Sequence, residues 1–512
     1  MKRFFVKIGR FFWSWGFLKF VLGCIAFVVL VYVEEDWRGA HEWAATKAKW
    51  EAKGETFDYS KFIPPPVPDE QNLAAIPLFK LELVKDSEGD TYPEPVPLKR
   101  AMGGDYPHLD LPPTVNWPKG EQADMAKIKQ VIASNYAIVF KNAKPPDSTL
   151  AQFNAIYPFL TDFLAAAATR PVFRFNSDYT ILPQAARPLG QVVALINLSR
   201  LLTLQAILAI DQHQEGLALE DIRVNCMLAN GAKRDPSLVG GLVAMGIMAI
   251  NHGAVREGLA QHSWTDAQAA ELEQTLGQID FLAGFQFAMR SEVAISTNDI
   301  DFFHRISRPE LNKLFEASPL GAPPLAKLFL VPLPSGWWDN NEKEMATFLF
   351  HQLATVDLHA RLVYANLSHD LKKEAASESN SMTAYAPWNI WFTISVAPLA
   401  DETKLFARAQ VWIDEARIAC ALERYRLAKG VYPGSFDVLA PMYIDEVPHD
   451  IMNGEAYHYR LNPDGTFLLY SVGWNQKDDG GKVAYKTGYD QSLKQIDYEK
   501  GDWVWPPPQV KK

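Results

Sequence analysis

The sequence predicts a mainly α protein in three parts: an N-terminal transmembrane helix, an irregular helical domain and a small C-terminal α+β module. Three observations carry that prediction. An uncharged run, Phe20–Val33, lies between basic and acidic flanks. Apolar residues recur at helical spacing through most of residues 136–400. Beyond Asp401 the pattern becomes one long helix, then short strand-like pieces around an Asn-Pro-Asp-Gly turn.

The run Phe20–Val33 alone covers about 21 Å at 1.5 Å per residue, short of the roughly 30 Å hydrocarbon core. Extending it back to Trp13 gives about 31 Å and takes in Lys19, whose long stem carries its ammonium back toward the headgroups. Trp13 and Trp15 suit the interface. Lys2, Arg3, Lys7 and Arg10 precede the span, and Glu34, Glu35 and Asp36 follow it. This bias predicts a single-pass signal anchor in an inner (cytoplasmic) membrane, with a cytoplasmic N-terminus and the bulk of the chain extracytoplasmic, or periplasmic. A cleaved signal peptide is the competing reading, but VYVEEDW after the core offers no small-x-small cleavage site.

The predicted order is a cytoplasmic tail 1–12, a transmembrane helix 13–33 and a juxtamembrane helix 34–60. A Pro-rich extended region 61–135 follows, then the helical domain 136–400, the module 401–483 and a tail 484–512. Residues 37–54 read as a solvated helical stalk capped by Gly54. The cluster Ile63-Pro-Pro-Pro-Val-Pro68 forbids helix and reads as a stiff spacer. Helices are predicted over Leu150–Ala168, Gly190–Asp211, Glu215–Ala229, Ser237–Leu259, Thr265–Ile295, Asp299–Glu316 and Asn341–Glu374. Their short connections suit antiparallel pairs, with an α-solenoid as one arrangement, although no fixed-period repeat is present. Leu238–Ile250 is too short to cross a membrane and Ala194–Ile210 carries Arg200, so both are predicted to be buried core helices.

A net charge of −10 argues against nucleic acid as a partner. Of three cysteines, Cys24 lies in the span; Cys226 and Cys420 read as buried free thiols rather than a disulfide framework.

In the module, a helix over Glu402–Lys429 ends at Gly430, and Tyr457–Leu461 and Thr466–Val472 flank the turn Asn462-Pro-Asp-Gly465. Ala421-Leu-Glu-x-Tyr425-Arg-Leu, Gly430-x-Tyr-Pro433, Leu439, Tyr443, Val447-Pro-x-Asp450, Gly454, Tyr457-x-Tyr459-Arg, Leu469-Tyr-Ser-Val-Gly473 and Asp479-Gly-Gly follow one another. This order and spacing resembles the globular head of type II secretion major pseudopilins. The whole layout is similar to large uncharacterised bacterial single-pass membrane-anchored proteins that carry this tail after a helical region, a resemblance that implies no activity. The chain departs from pseudopilins in lacking their leader, cleavage site and early glutamate. Residues 34–400 also separate anchor from module, and Ile451 stands where the head has proline, so assembly as an ordinary pilus subunit is not expected. In pseudopilins the loop after the last hairpin binds calcium. The resemblance puts Asn475, Asp478 and Asp479 in that role, as the sole cofactor expectation; carbonyls and water would have to complete six to eight oxygens.

No H-E-x-x-H, G-x-S-x-G or phosphate-loop pattern occurs. His351, His359 and His369 are predicted to be partly buried on one helix. His252, Arg290 and Glu292 are candidates to line a cleft between helices; the last two are two apart, so each needs another partner. The leading expectation is a non-enzymatic, membrane-anchored extracytoplasmic scaffold or binding protein, touching the bilayer through residues 13–33 and protein partners in the envelope. The alternative is an envelope hydrolase with its site in a helical cleft. A third is an accessory of a type II secretion-like assembly.

Overall fold

The computed structural model describes residues 15–85, 91–104, 109, 123–141, 143–175, 177–183, 187, 190–307, 309–310, 333–381, 387–389, 392, 399–486 and 495–506. The tail 1–12 and Trp13 lie outside them, as do most of residues 101–120 and Leu311–Glu316.

Helix α1 runs without a break over Trp15–Glu51. It is long and apolar enough to span a membrane, and no residue of its apolar window is buried, as suits a lipid-facing surface. The juxtamembrane helix is the same helix continued; it stops at Glu51, not near residue 60. Its outer half is no solvated stalk. Trp50 is buried with its ring 4.5 Å from that of Phe350, and Gly39 lies against the backbone of Gly336. Apolar side chains at Trp43 and Trp50 face the protein, and this packing offsets the weak amphipathicity of the stretch.

A small hairpin, β1 (Glu82–Lys85) with β2 (Thr91–Glu94), follows. Then α2 (Met125–Phe140), capped by Asp124, occupies part of what reads as the Pro-rich region and was not predicted. The predicted helix Leu150–Ala168 is two: α3 (Thr149–Ile156) and α4 (Phe159–Thr169), because Pro158 has no N–H to continue the ladder. Next, α5 covers Gly190–Asp211, α6 Glu215–Lys233 and α7 Leu238–Ala260, the last with Ser237 accepting from Gly240 N–H. Helix α7 is longer than its apolar run and meets the length for a membrane span. Its burial inside the protein, like that of α5, makes both core helices.

The stretch Thr265–Ile295 is also split. Helix α8 (Asp266–Gly277) opens on a capping box between Thr265 and Gln268, and α9 (Phe281–Arg305) restarts at the Asp280 cap. Helix α9 absorbs Asp299–Arg305, so no separate helix begins at Asp299. Helix α10 spans Ser335–Leu353; the hairpin β3 (Val356–Asp357) and β4 (Leu362–Val363) interrupts the predicted helix before α11 (Ala365–Ser381). His359 therefore sits on a hairpin turn. His351, His359 and His369 are all exposed, against the partly buried helix expected.

Helix α12 (Glu402–Lys429) ends where predicted, at Gly430 with φ +80°, a left-handed cap. It is the axis of the molecule, packing against α7, α8, α9 and α11 and against the terminal sheet. That sheet pairs β5 (His458–Leu461) with β6 (Phe467–Ser471). Two further strands, β7 (Val483–Lys486) and β8 (Gln495–Gly501), pair with each other, and β9 (Trp503–Trp505) returns to pair with β6. Residues 484–512 thus include strands of the module and are more than a tail. One hydrophobic cluster runs from Trp50 through the helices to Trp505. Cys226 and Cys420 are buried and free, as expected.

Candidate functional site

Two chain reversals build a broad, largely apolar cleft. Helix α7 ends with His262 at φ +52°, its N–H donated to Leu259 O at 3.2 Å, which turns the side chain toward α12. Helix α12 ends with Gly430, which folds Val431 and Tyr432 back along its last turns. Between these ends and the β5–β6 turn lies a cavity of about 650 Å³. Leu259, Ala260, Ala419, Phe467, Trp505 and Pro506 supply apolar walls, and Asp464, Gly465 and Thr466 form one lip. Leu427, Val431 and Leu461 stand exposed close by in the chain, with Val431 64% accessible.

One carboxylate organises the polar end. Glu423, with a side chain 2% exposed, accepts from Arg426 Nε and Nη2 at 2.8 and 2.6 Å and from Tyr432 Oη at 3.1 Å. His262 Nδ1 lies 3.1 Å from both its oxygens. Burial opposes ionisation of Glu423, but the Arg426 guanidinium, His262 and the Tyr432 hydroxyl outweigh it and hold the carboxyl below its ordinary value. Burial, reinforced by Glu423, keeps Tyr432 protonated well above the usual phenol range. The result is an apolar pocket whose buried charges are paired, Glu423 with Arg426 and Arg256 with Glu257. Such a site takes an apolar group and orients whatever polar atom accompanies it.

The residues singled out from the sequence fall elsewhere. His252 lines no cleft; it is 1% exposed, edge-on to Trp412 and Trp505, and burial pushes its imidazole down to about 3, leaving it neutral. Arg290 and Glu292 do find separate partners: Arg290 binds Glu55 at 2.8 and 3.1 Å, and Glu292 accepts from Leu238 N–H at 3.1 Å, capping α7. The structure brings the candidate calcium residues together. Asn475 Nδ2 donates to Asp479 Oδ2 at 2.9 Å, while Asp478 accepts from Tyr470 Oη and Gly480 N–H at 3.0 and 2.8 Å. Asp502, missed in the sequence, closes the loop by accepting from the N–H groups of Asp479, Gly481 and Lys482. Among the described residues no group of three or more His, Cys, Asp or Glu is placed to hold a metal ion.

Glu423 and Arg426, three apart, and the Gly430 cap were readable as one helical end. Nothing local marks His262, which lies 161 residues away. No family model, no curated protein and no solved structure matches this chain.

Proposed function

We propose that the protein is a membrane-tethered, non-enzymatic binding protein whose cleft between α7, α12 and the β5–β6 turn receives an apolar segment of an envelope partner. The observation that carries this is the cleft itself: 650 Å³, apolar in its walls, with its one buried carboxylate satisfied by three donors. The anchor would hold the site close to a bilayer, on the extracytoplasmic side in the orientation the flanking charges favour. The pseudopilin-like module then serves as a docking unit. Support for that likeness comes from the Gly430 cap, the β5–β6 hairpin, and Asp450, which accepts from Met452 and Val472 N–H and Ser471 Oγ at 2.9–3.0 Å.

A photocrosslinking residue at Val431, in the full-length protein in intact cells, is expected to give one discrete adduct. Thr466→Trp, placed on the exposed lip, should abolish it by filling the mouth. No adduct beyond that of a control crosslinker at the exposed Met442, or one indifferent to Thr466→Trp, would overturn the reading.

The hydrolase reading draws on one observation, the half-exposed His262 held through Nδ1 by buried Glu423. In the tautomer that donates Nδ1–H to Glu423, a neutral ring would carry its proton acceptor at Nε2. It ranks second because Arg426 and Tyr432 also hold Glu423, which ties the carboxylate to the end of α12 as well as to His262.

Calcium at Asn475, Asp478 and Asp479 remains a proposal that rests on their proximity. It predicts a higher unfolding midpoint for the full chain in calcium than in chelator; identical midpoints sink it.

A further inference from the structure

Where α1 leaves its apolar run, the protein has a second cavity, of about 330 Å³ and polar in its lining. Val33 ends the run. Glu35, Arg38 and Glu42 follow at about 3, 8 and 14 Å along the helix axis at 1.5 Å per residue. The first two fall within or just beyond the headgroup layer, which adds about 5–8 Å to each side of the hydrocarbon.

The first turn of α10 is pinned at this level. Gly336 N–H donates to Asp36 Oδ1 at 3.1 Å, and Trp337 Nε1 donates to Glu35 Oε2 at 3.0 Å. Trp388 lies edge-on to Trp337 at 6.1 Å and stays 41% exposed, and Trp37 is 68% exposed. Tryptophans left open at this height suit an interface with lipid, where the ring sits among headgroups with its N–H still hydrated.

The charges in the cavity are mixed. Lys343 Nζ contacts Glu42 at 2.7 Å and Glu344 at 3.0 Å, and Arg38 contacts Glu35 at 2.6 Å. Two cations thus share the cavity with three carboxylates. A phosphate matches the guanidinium fork and the ammonium, while the surplus carboxylate charge calls for a hydrogen-bonding cation beside it.

We propose that this cavity is a binding site for a phospholipid headgroup carrying both a phosphate and a primary ammonium, that is, phosphoethanolamine. A phosphoglycerol headgroup would bring a net negative charge against three carboxylates. A choline headgroup has no N–H to donate to Glu42 or Glu344. The proposal rests on the reading of α1 as a membrane span and is independent of the occupant of the larger cleft.

The test is native mass spectrometry of the full-length protein in detergent, titrated separately with phosphatidylethanolamine, phosphatidylglycerol and phosphatidylcholine. The expected result is one bound phosphatidylethanolamine, roughly tenfold preferred over the other two, the scale of losing one charged hydrogen bond. Glu344→Gln, which leaves the Lys343–Glu42 contact between α1 and α10 in place, should bring that preference to about threefold or less. Its unfolding midpoint should match that of the parent, so the loss is not one of folding.

Soluble phosphoethanolamine should displace the lipid where glycerol phosphate does not. Binding of the soluble compound with no lipid adduct would overturn a lipid site. Equal binding of the three lipids, or a preference untouched by Glu344→Gln, would overturn the proposal. Flotation of proteoliposomes after alkaline extraction separates the two layers of the argument: a protein that fails to float refutes the span, and one that floats without lipid preference refutes only the headgroup site.

Discussion

Gly336→Val is expected to destabilise the full-length protein by about 3 kcal/mol, the upper range for overpacking, and to free the outer half of α1 from the helical domain. A Cβ at Gly336 would sit 2.6 Å from the carbonyl carbon of Glu35 and 3.0 Å from Asp36 Cα, and one at Gly39 would lie 2.7 Å from the Gly336 carbonyl carbon. Both obstacles are backbone, so no side-chain rotation relieves them. The crossing also brings together Trp50 and Phe350, Lys343 and Glu42, and Trp337 and Glu35, which share the loss. Denaturant unfolding measures the energy, and limited proteolysis after Lys47, Lys49 and Lys53 reports the release of α1. Gly23→Val is the control: it lies in the span with nothing within 4 Å of an added Cβ, and it should leave both readouts unchanged. If Gly336→Val behaves like Gly23→Val, the domain is not fixed to its anchor by this crossing.

Asp414→Asn is expected to stabilise the protein at neutral pH and to leave it unchanged near pH 4. Asp414 is 1% exposed on α12; Gln410 Nε2 donates to it at 3.0 Å and Tyr457 Oη at 3.4 Å. Burial pushes its carboxyl up to about 6, against the opposing pull of Arg361, Gln410 and Arg417, while Asp280 adds to the rise. Glu415 beside it is held well above the carboxylate range, chiefly by burial and then by Asp450. Because the folded value of Asp414 exceeds the unfolded one, the folded state binds more protons between about pH 4 and 6. Stability is therefore full below about 4 and is lost as pH rises toward 6, by about 3 kcal/mol for this group. Asparagine accepts from Gln410 through Oδ1, reverses the Tyr457 contact so that Nδ2 donates to the hydroxyl oxygen, and has no charge to desolvate. The gap between variant and parent in denaturant unfolding should open across that window; parallel curves from pH 4 to 7.5 would refute the assignment.

What the chain encodes locally could be read from it. Gly430 ends α12 because only a residue free to take φ +80° closes that helix, and Thr265 with Gln268 starts α8 because each satisfies an N–H near the helix start. The apolar run of α1 and the turn Asn462–Gly465 are equally local, and so are the alternating pieces that became β5 and β6. Structure departs from the local pattern where the local signal is weak or conflicts with its surroundings. Pro158 breaks a helix inside an apolar run, and Asp280 restarts one within three residues of Gly277. Thr355 to Tyr364 carry a hairpin amid residues compatible with helix.

Tertiary structure alone decided the rest. The segment after Val33 is too weakly amphipathic to announce a partner, and it packs because two glycines, at 39 and 336, let backbones touch across nearly three hundred residues of chain. The cleft follows the same logic. His262, Glu423, Tyr432 and the β5–β6 turn meet because α7 and α12 end side by side, and hydrophobic packing along the whole helices sets that juxtaposition. Sequence fixes a helix through contacts three and four residues apart, whereas a site assembled from helix ends depends on contacts whose partners leave no trace in either local pattern.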